Sequence, residues 1–446
     1  MAPAIMTLAA DAPKLDSGNT AFLLLSAALV MVMTPGLAFF YGGMVRVKSA
    51  LNMLMMSFIS LGIITVLWTL YGFSFAFHSG NGFMGGTGWV GLRKIGMSAP
   101  WASTGVPILV FAMFQLMFAV ITPALISGAL ADRVKFTAWS LFIALWATIV
   151  YFPVAHWVWA PDGWLAKRHV LDFAGGTAVH INAGAAALGV ILVIGKRNGF
   201  KRDPMRPHNL PLVMLGCGLL WFGWFGFNAG SELTADGVAG IAFTNTQVAT
   251  AAAMLGWLIY ERLRHGSFTT LGAASGAVAG LVAITPACGS VSPLGALLLG
   301  LVAGVGCAAA VSLKYRFNYD DSLDVVGVHM VGGIIGSLAI GFLSTGTVYP
   351  GQAGVFYGGG WTQFGRQCLG VGAVLGYSLV CAVVLAKLID ITMGFRVTDD
   401  EEITGVDQIL HAETAYDFAG VGGARSASDV SNSSEAGASS VKKVDA

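Results

Sequence analysis

Long apolar stretches alternate with short polar segments over most of this chain. A helix needs about 20 apolar residues to cross the hydrocarbon core of a bilayer. The uncharged stretches predict eleven membrane spans, near residues 20–44, 50–77, 104–129, 136–157, 173–195, 209–231, 240–260, 267–288, 292–312, 325–346 and 367–393. The pattern therefore predicts an all-α polytopic protein of the cell membrane, with residues 20–393 as its membrane domain.

The composition supports a membrane protein and excludes several other classes. Charged residues make up 11% of the 446 positions and hydrophobic residues 56%, whereas a soluble domain has about a quarter of its residues charged. The net charge of +1 excludes a nucleic-acid-binding protein, which needs a basic face. The five cysteines form no CxxC motif and no Cys/His cluster, so we expect no metal and no cofactor.

Basic residues are distributed unequally between the two sides of the predicted membrane domain. The loops after odd-numbered spans carry thirteen Lys and Arg, and the chain after the last span carries four more. The opposite loops carry six. Because cytoplasmic loops are enriched in Lys and Arg, we expect the N-terminus outside the cell and the C-terminus in the cytoplasm.

Three further segments are distinguished by composition. Residues 1–19 lack the form of a cleavable signal peptide and are expected to be a short external extension. Residues 394–418 are polar but not low in complexity, which favours an ordered cytoplasmic segment. Residues 419–446 are mostly Gly, Ser and Ala with scattered charge, which is typical of a disordered tail.

Spans five and ten share a short motif that predicts an internal repeat. Each contains Val-His, at His180 and His329, with a Gly four residues later and an Asp upstream, at Asp172 and Asp324. An odd and an even span cross the membrane in opposite directions. A 5+5 inverted repeat follows, with the eleventh helix outside it, and such repeats are common in transporters.

The depth of these residues suggests their chemistry. At a rise of about 1.5 Å per residue, His180 and His329 fall toward the bilayer interior from opposite faces. One intramembrane His most often bonds a neighbouring helix, but two in equivalent positions favour a polar pathway. Asp172 precedes Phe-Ala-Gly-Gly-Thr, which favours an N-cap role, and a buried negative charge there would also attract a cation.

Five motifs in order resemble the Amt/Mep/Rh ammonium transporters, and most closely a prokaryotic Amt-type protein. The resemblance covers roughly residues 20–418, and the motifs are Pro35–Gly43, Asp172–His180, Trp224–Ser231, Gly272–Gly276 and Asp320–His329. It implies an eleven-helix fold in the lipid bilayer and a homotrimer with one pore per subunit. It also implies transport of ammonium or ammonia, with methylammonium as an analogue, and a PII-type signalling protein that docks beside residues 394–418.

The resemblance also implies residue roles. They are Trp159, Phe118 and Ser231 at an external cation site, Phe118 and Phe227 in a stacked gate, His180 and His329 in the pore, and Asp172 as the buried aspartate. Trp157 remains an alternative to Trp159, two residues away. A Trp face binds a cation and a Ser oxygen accepts a hydrogen bond. Ammonium can donate hydrogen bonds and lose a proton, whereas potassium, which has a similar size, can do neither.

Three alternatives stay open on the sequence. An Rh-like channel for ammonia or carbon dioxide would lack the cation site of Trp159 and Ser231. An ammonium sensor would need a fused signalling domain, and we expect none in residues 394–446. An intramembrane enzyme would need a nucleophile motif or metal spacing such as HExxH, which the chain lacks, so we expect no enzymatic activity.

Overall fold

The structure is a computed structural model and describes residues 14–416. Within that range, ten helices are long and apolar enough to cross a membrane, and one shorter apolar helix has 15 residues. A helical multi-pass membrane protein is therefore confirmed. Most of the predicted external extension, and the whole of the predicted disordered tail at 419–446, lie outside the described residues.

The apolar helices share the order and the approximate positions of the predicted spans. They are α1 (Ser17–Met44), α2 (Val47–Phe77), α3 (Ile108–Leu130), α4 (Phe136–Trp159), α5 (Gly176–Ile194), α6 (Leu210–Glu232), α7 (Gly237–His265), α8 (Thr270–Ile284), α9 (Pro293–Phe317), α10 (Val326–Leu343) and α11 (Thr362–Met393).

Helix α8 is shorter than the span predicted for residues 267–288. The helix ends at Ile284, and the chain continues in turns as far as Ser290. Pro286 accounts for the early end, because proline lacks an N–H group and disfavours helical geometry in the residue before it. The carbonyl of Pro286 instead accepts a hydrogen bond from the backbone N–H of Phe173, at 3.1 Å.

Polar side chains determine where several membrane helices begin. Asn209, Asp236, Thr269 and Ser292 each accept a hydrogen bond from a backbone N–H in the first turn of α6, α7, α8 and α9, respectively. These N-caps satisfy donors that have no partner inside the helix. The starts of these spans therefore follow from single residues in the sequence.

The remaining elements are short and lie at the ends of the membrane helices. They are the antiparallel strands β1 (Pro100–Trp101) and β2 (Val106–Pro107), 3₁₀ turns at Val90–Leu92, Ala166–Arg168 and Val355–Tyr357, and the helices α12 (Asp399–Thr404) and α13 (Val406–His411).

Equivalent helices of the two predicted halves pack against each other. Helix α1 packs along α6, and α5 crosses α10. Both α5 and α10 begin with π-helical turns, Gly176–Ile181 and Val326–Met330, and each turn contains one of the two histidines. Wider π-helical turns are rare and often mark functional sites.

The segment after α11 packs against one face of the membrane domain, which we call the C-terminal face. Residues Val134 and Arg396 pair as an isolated β-bridge. The carboxylate of Asp407 accepts hydrogen bonds from the backbone N–H groups of Leu51 and Asn52, at 2.9 and 2.7 Å, near the start of α2. Residues 394–416 are therefore held by side chains as well as by backbone.

Buried charges connect the loops of the C-terminal face. Arg133 is fully buried and donates to the carbonyl oxygens of Ala129, Gly195 and Asp320. Arg197 binds both carboxylate oxygens of Asp320, each at 2.9 Å. Burial alone would raise the pKa of Asp320, but the hydrogen bonds and charge of Arg197 and the charge of Arg133 lower it to about 2. These loops are thus joined by fully ionised pairs at neutral pH.

Candidate functional site

The ends of α4 and α6 and the segment that leads into α5 surround a cavity of about 450 Å³, which we call the vestibule. It lies on the face opposite the C-terminal segment, because α5 runs from Asp172 at the vestibule to Gly195 at the C-terminal face. Trp159 lines the vestibule, and its Nε1 donates to the backbone oxygen of Asp172 at 3.0 Å. Trp157 lies outside it, because its Nε1 donates to Phe83 and its ring packs on Tyr377.

Ser231 lines the same cavity as Trp159. Its hydroxyl donates to the backbone oxygen of Phe227, one turn earlier, at 2.8 Å. Because that hydrogen bond uses the only proton of the hydroxyl, the oxygen is left as an acceptor. The ring of Phe118 meets the ring of Trp159 edge to face, with centroids 5.8 Å apart. The three residues expected at the cation site are therefore neighbours.

The rings of Phe118 and Phe227 form an apolar stack directly below the vestibule. Their centroids are 4.2 Å apart, with an angle of 31° between the ring planes. Each side chain is 1% exposed. A solute that passes this stack must leave its hydration water behind, since no polar side chain intervenes between the two rings.

The two imidazoles follow the aromatic stack. His180 lies 6.1 Å from Phe227 and 5.4 Å from His329, measured between ring centroids. The Nδ1 atoms of the two histidines are 3.3 Å apart. A hydrogen bond at this position needs a proton on one Nδ1 and a lone pair on the other. The Nε2 atom of His180 has no hydrogen-bond partner among residues 14–416.

The space beside the imidazoles is narrow and apolar. His180 and His329 border a cavity of about 10 Å³, roughly enough for one water molecule. The other lining side chains are Met33, Leu37, Phe40, Ile121, Leu125, Val179, Leu220, Trp224, Phe227 and Val278. Apart from the imidazoles, only the indole of Trp224 carries a polar atom. The imidazoles are therefore the main polar feature of this part of the pathway.

Trp224 is a site residue to which the sequence analysis assigned no role. Its ring stacks on His180 with centroids 5.4 Å apart and an angle of 20°, and its Nε1 donates to the hydroxyl of Thr285 at 2.8 Å. The indole N–H is thus satisfied away from the pore, and its face holds the imidazole. The sequence feature that could predict a role for Trp224 is its position three residues before Phe227, which places both residues on one face of α6.

Asp172 caps the start of α5 from a position four residues before Gly176, the first residue of the helix. Its carboxylate accepts hydrogen bonds from the backbone N–H groups of Gly175, Gly176, Thr177 and Ala178, at 2.6 to 3.0 Å, and from the hydroxyl of Thr177. The carboxylate is directed at the start of the helix, while its backbone oxygen orients Trp159. Asp172 therefore connects the geometry of the vestibule to the helix that carries His180.

The structure gives the equivalent role in α10 to Asp321 and not to Asp324. Asp321 accepts from the backbone N–H groups of Val325 and Val326, at 3.0 and 2.8 Å. It lies eight residues before His329, the same spacing as Asp172 to His180, and this spacing is the signal that the sequence analysis missed. Asp324 instead forms an ion pair with Lys314, with 2.6 Å between the carboxylate oxygen Oδ1 and the lysine Nζ. Burial, and to a lesser extent the charge of Asp324, raises the pKa of Asp321 to about 6.

The glycine four residues after each histidine allows α5 and α10 to cross. A Cβ atom on Gly184 would lie 2.5 Å from the Cβ of Met330. A Cβ atom on Gly333 would lie 2.9 Å from the backbone oxygen of Gly176 and 3.2 Å from the Cβ of His180. Any larger residue would therefore push the two histidine-bearing helices apart.

Comparisons with known proteins agree with this geometry. The family model described as the Ammonium Transporter Family matches residues 21–416. An ammonium transporter of Mycobacterium tuberculosis is 56% identical over 435 residues, with 91% of each chain covered. The crystal structure of Saccharomyces cerevisiae Mep2 superposes with a TM-score of 0.80 at 35% identity, covering 86% of this chain and 91% of that chain.

A structure described as a sensor Amt protein has the same fold. It superposes with a TM-score of 0.81 at 28% identity, covering 88% of this chain and 98% of that chain. The family match extends over all eleven apolar helices and the segment that follows them. This chain therefore belongs to the ammonium transporter family.

Proposed function

We propose that this chain captures ammonium in the vestibule, removes its proton and conducts ammonia past the two histidines. The stack of Phe118 and Phe227 between the vestibule and the imidazoles carries the proposal. A cation held between two apolar rings has lost its water without gaining hydrogen bonds, which costs several kcal/mol even after relaxation. Neutral ammonia avoids most of that cost.

Capture uses groups that recognise a cation with N–H donors. The face of Trp159 attracts a cation by about 0.5–2 kcal/mol, depending on desolvation. The oxygen of Ser231 accepts a hydrogen bond, because its proton is directed at Phe227. Potassium shares the attraction to the ring but can neither donate to Ser231 nor lose a proton, so it stops above the aromatic stack.

The histidine pair then serves the neutral molecule. The free Nε2 of His180 can accept a hydrogen bond from ammonia or donate one to it, according to the tautomer of the pair. An imidazole can also accept the proton that ammonium releases. Trp224 and the hydrogen bond to His329 hold the ring of His180 in place for either task.

The arrangement of the helices supports a finer topology. We propose that α8 completes an eleven-helix membrane domain at residues 20–393, with α1–α5 and α6–α10 related as inverted repeats and α11 outside them. The π-helical turn, the capping carboxylate and the histidine that recur in α5 and α10 support this relation. The basic loops support a cytoplasmic C-terminal face.

The resemblance to the family supports a proposal for assembly and regulation. We propose a homotrimer in the cell membrane, with one pore in each subunit. Residues 394–418 would form a cytoplasmic regulatory segment where a PII-type signalling protein can dock. The ion pair of Arg396 with Glu402, at 2.7 Å, supports a folded segment at this face.

The experiment is a flux and current measurement on the purified full chain in proteoliposomes. We expect uptake of ammonium and of radiolabelled methylammonium, and no current when potassium replaces ammonium. Phe227→Leu removes half of the aromatic stack and should weaken this selectivity or stop transport. The ratio of charge to ammonia moved distinguishes a relayed proton from one returned outside. Equal currents with potassium and ammonium would contradict the proposal.

An ammonium sensor is the second candidate, because a protein described as a sensor Amt has the same fold at a TM-score of 0.81. A sensor needs to bind ammonium in the vestibule but not to conduct it. Saturable binding by the purified protein, without any uptake into proteoliposomes, would favour this second candidate over transport.

A further inference from the structure

The vestibule contains a carboxylate that the proposed mechanism does not use. Glu232 is the last residue of α6, directly after Ser231, and it lines the same cavity of about 450 Å³. Within residues 14–416, its side chain has neither a hydrogen-bond partner nor an ion-pair partner. A carboxylate in such a position prefers to be matched by a cation or by N–H donors.

A second, independent feature of the same cavity also lacks a partner. Gln352 lines the vestibule from the loop between α10 and α11, and its side chain is 9% exposed. Its Oε1 atom has no hydrogen-bond partner among the described residues. Buried amide oxygens are nearly always hydrogen-bonded. A ligand with an N–H group could supply the donor that this oxygen lacks.

Tyr349 lies in the same loop as Gln352 and lines the same cavity as Glu232. The backbone N–H of Gln352 donates to the oxygen of Tyr349 at 3.0 Å, which puts both side chains on one turn. Tyr349 is 5% exposed and also lines the vestibule. No hydrogen bond of its hydroxyl is found within the described residues. Glu232, Tyr349 and Gln352 therefore offer carboxylate, phenol and amide oxygens to one space.

The charges around this space favour a cation. Asp172 also lines the vestibule, but its carboxylate oxygens are occupied by the start of α5. Lys167 and His169 are the basic side chains of the described lining, and both are exposed. Glu232 is thus the one carboxylate of the described vestibule whose oxygens are not already bound.

We propose that Glu232, Tyr349 and Gln352 form a second ammonium site in the vestibule, which loads the site of Trp159 and Ser231. The inference rests on the proposed function and extends it by a recruitment step. Ammonium binds there with its N–H groups on the three oxygens, and then moves to Ser231, the neighbour of Glu232 in the chain. In its ionised form the carboxylate raises the local concentration of the cation, and the phenol and amide oxygens add acceptors for its N–H groups.

The test separates capture from conduction by the concentration dependence of methylammonium uptake in proteoliposomes. Glu232→Gln keeps the size of the side chain and removes its charge, so we expect an apparent KM roughly tenfold higher, the low end of electrostatic focusing, with an unchanged maximal rate. Glu232→Asp should restore most of the affinity. Gln352→Leu should raise KM about threefold, as for the loss of one hydrogen bond.

Asp236→Asn is the matched control. It removes one negative charge four residues from Glu232, and Asn keeps the N-cap of α7. We expect its KM to match that of the wild type. An equal rise of KM in Asp236→Asn and Glu232→Gln would reduce the effect to a general surface field and overturn the site. The Gln352→Leu variant keeps the proposal testable if Glu232→Gln does not yield a trimer.

The outcomes for the two proposals are distinct. If Glu232→Gln and Gln352→Leu both keep the wild-type KM while Trp159→Leu raises it, the recruitment site is wrong and the proposed function stands. If the wild-type protein takes up no ammonium at all, the proposed function fails before the recruitment site is tested.

Discussion

At the scale of single residues, the buried carboxylates at the starts of α5 and α10 affect both the stability of these helices and transport. Asp172 accepts from four consecutive backbone N–H groups, and loss of an N-cap typically costs about 1 kcal/mol. We expect Asp172→Ala to abolish methylammonium uptake, because the start of α5 and the bond to Trp159 are both disturbed, and Asp172→Glu to keep part of it. Asp321→Ala should reduce uptake in the same way from α10.

The control for this prediction is another helix cap. Asp236 caps α7 through the N–H groups of Val238 and Ala239 and holds no pore residue. Asp236→Ala should lower the thermal midpoint by a similar amount and leave uptake intact. Full uptake by Asp172→Ala would show that neither its cap nor its field matters.

The histidine pair gives the second prediction. If His180 and His329 only packed helices, leucine would replace both at little cost. If they serve ammonia or a proton, the double variant should form a folded trimer without ammonium-induced current. His180→Asp should instead conduct and admit potassium, because a fixed charge attracts any cation. If the double variant carries the wild-type ammonium current and still excludes potassium, the histidines are not needed for selectivity, and the stack of Phe118 and Phe227 is the selective element.

The individual residues differ in how well the sequence predicts them. His180 and His329 stand out because a charged or polar ring inside two equivalent apolar spans is rare. Phe118 is one of 27 phenylalanines, so only the family resemblance singles it out. The stack of Trp224 on His180 depends on how α6 is rotated against α5, and no local pattern encodes that rotation. The sequence analysis names Asp324, five residues before His329, whereas the structure shows the carboxylate of Asp321 on the free N–H groups at the start of α10.

At the scale of helices, the crossing of α5 and α10 yields the third prediction. Gly184→Ala places a Cβ 2.5 Å from Met330, the residue after His329. We expect at least a severalfold loss of uptake, with membrane insertion retained, because α10 and its histidine must move. Gly372→Ala in α11 is the control, since a Cβ there meets no atom within 4 Å. Equal uptake by both variants would mean that the crossing tolerates the shift.

The segment after α11 yields the fourth prediction. Asp407 caps the start of α2, and Glu402 binds Arg396 and the backbone N–H of Asn198. Truncation after Val397 removes both acidic groups, so we expect lower uptake without loss of insertion. Truncation after Ala419 keeps the described contacts and should be silent. Equal uptake by the two truncated proteins would reduce residues 398–419 to a solvated tail.

The helices themselves were more predictable than their ends. Apolar length alone predicts the ten long helices and the approximate position of the shorter α8, because a bilayer sets the length of a span. The end of α8 was predicted four residues too late, since hydropathy does not register that Pro286 cannot continue a helix. The π-helical turns of α5 and α10 do not follow from the sequence either, because such turns have no sequence period of their own.

At the scale of the whole molecule, the two faces of the membrane domain differ in charge and in the use of their polar groups. The C-terminal face joins its loops through buried pairs such as Arg197 with Asp320. The vestibule face leaves the acceptors of Ser231, Glu232 and Gln352 open to a cavity. A protein that takes up ammonium should expose the open acceptors to the outside and keep the basic, paired face in the cytoplasm.

This asymmetry gives the last prediction, which is the orientation of the chain. Single cysteines at positions 201 and 103, on a cysteine-free background, place a label on each face. Lys201 is exposed in the loop between α5 and α6 at the C-terminal face, and Ser103 lines the vestibule. An impermeant thiol reagent added to intact cells should label Ser103→Cys and leave Lys201→Cys unlabelled until the membrane is opened. Labelling of Lys201→Cys from outside would reverse the orientation, and capture of ammonium would then occur from the cytoplasm.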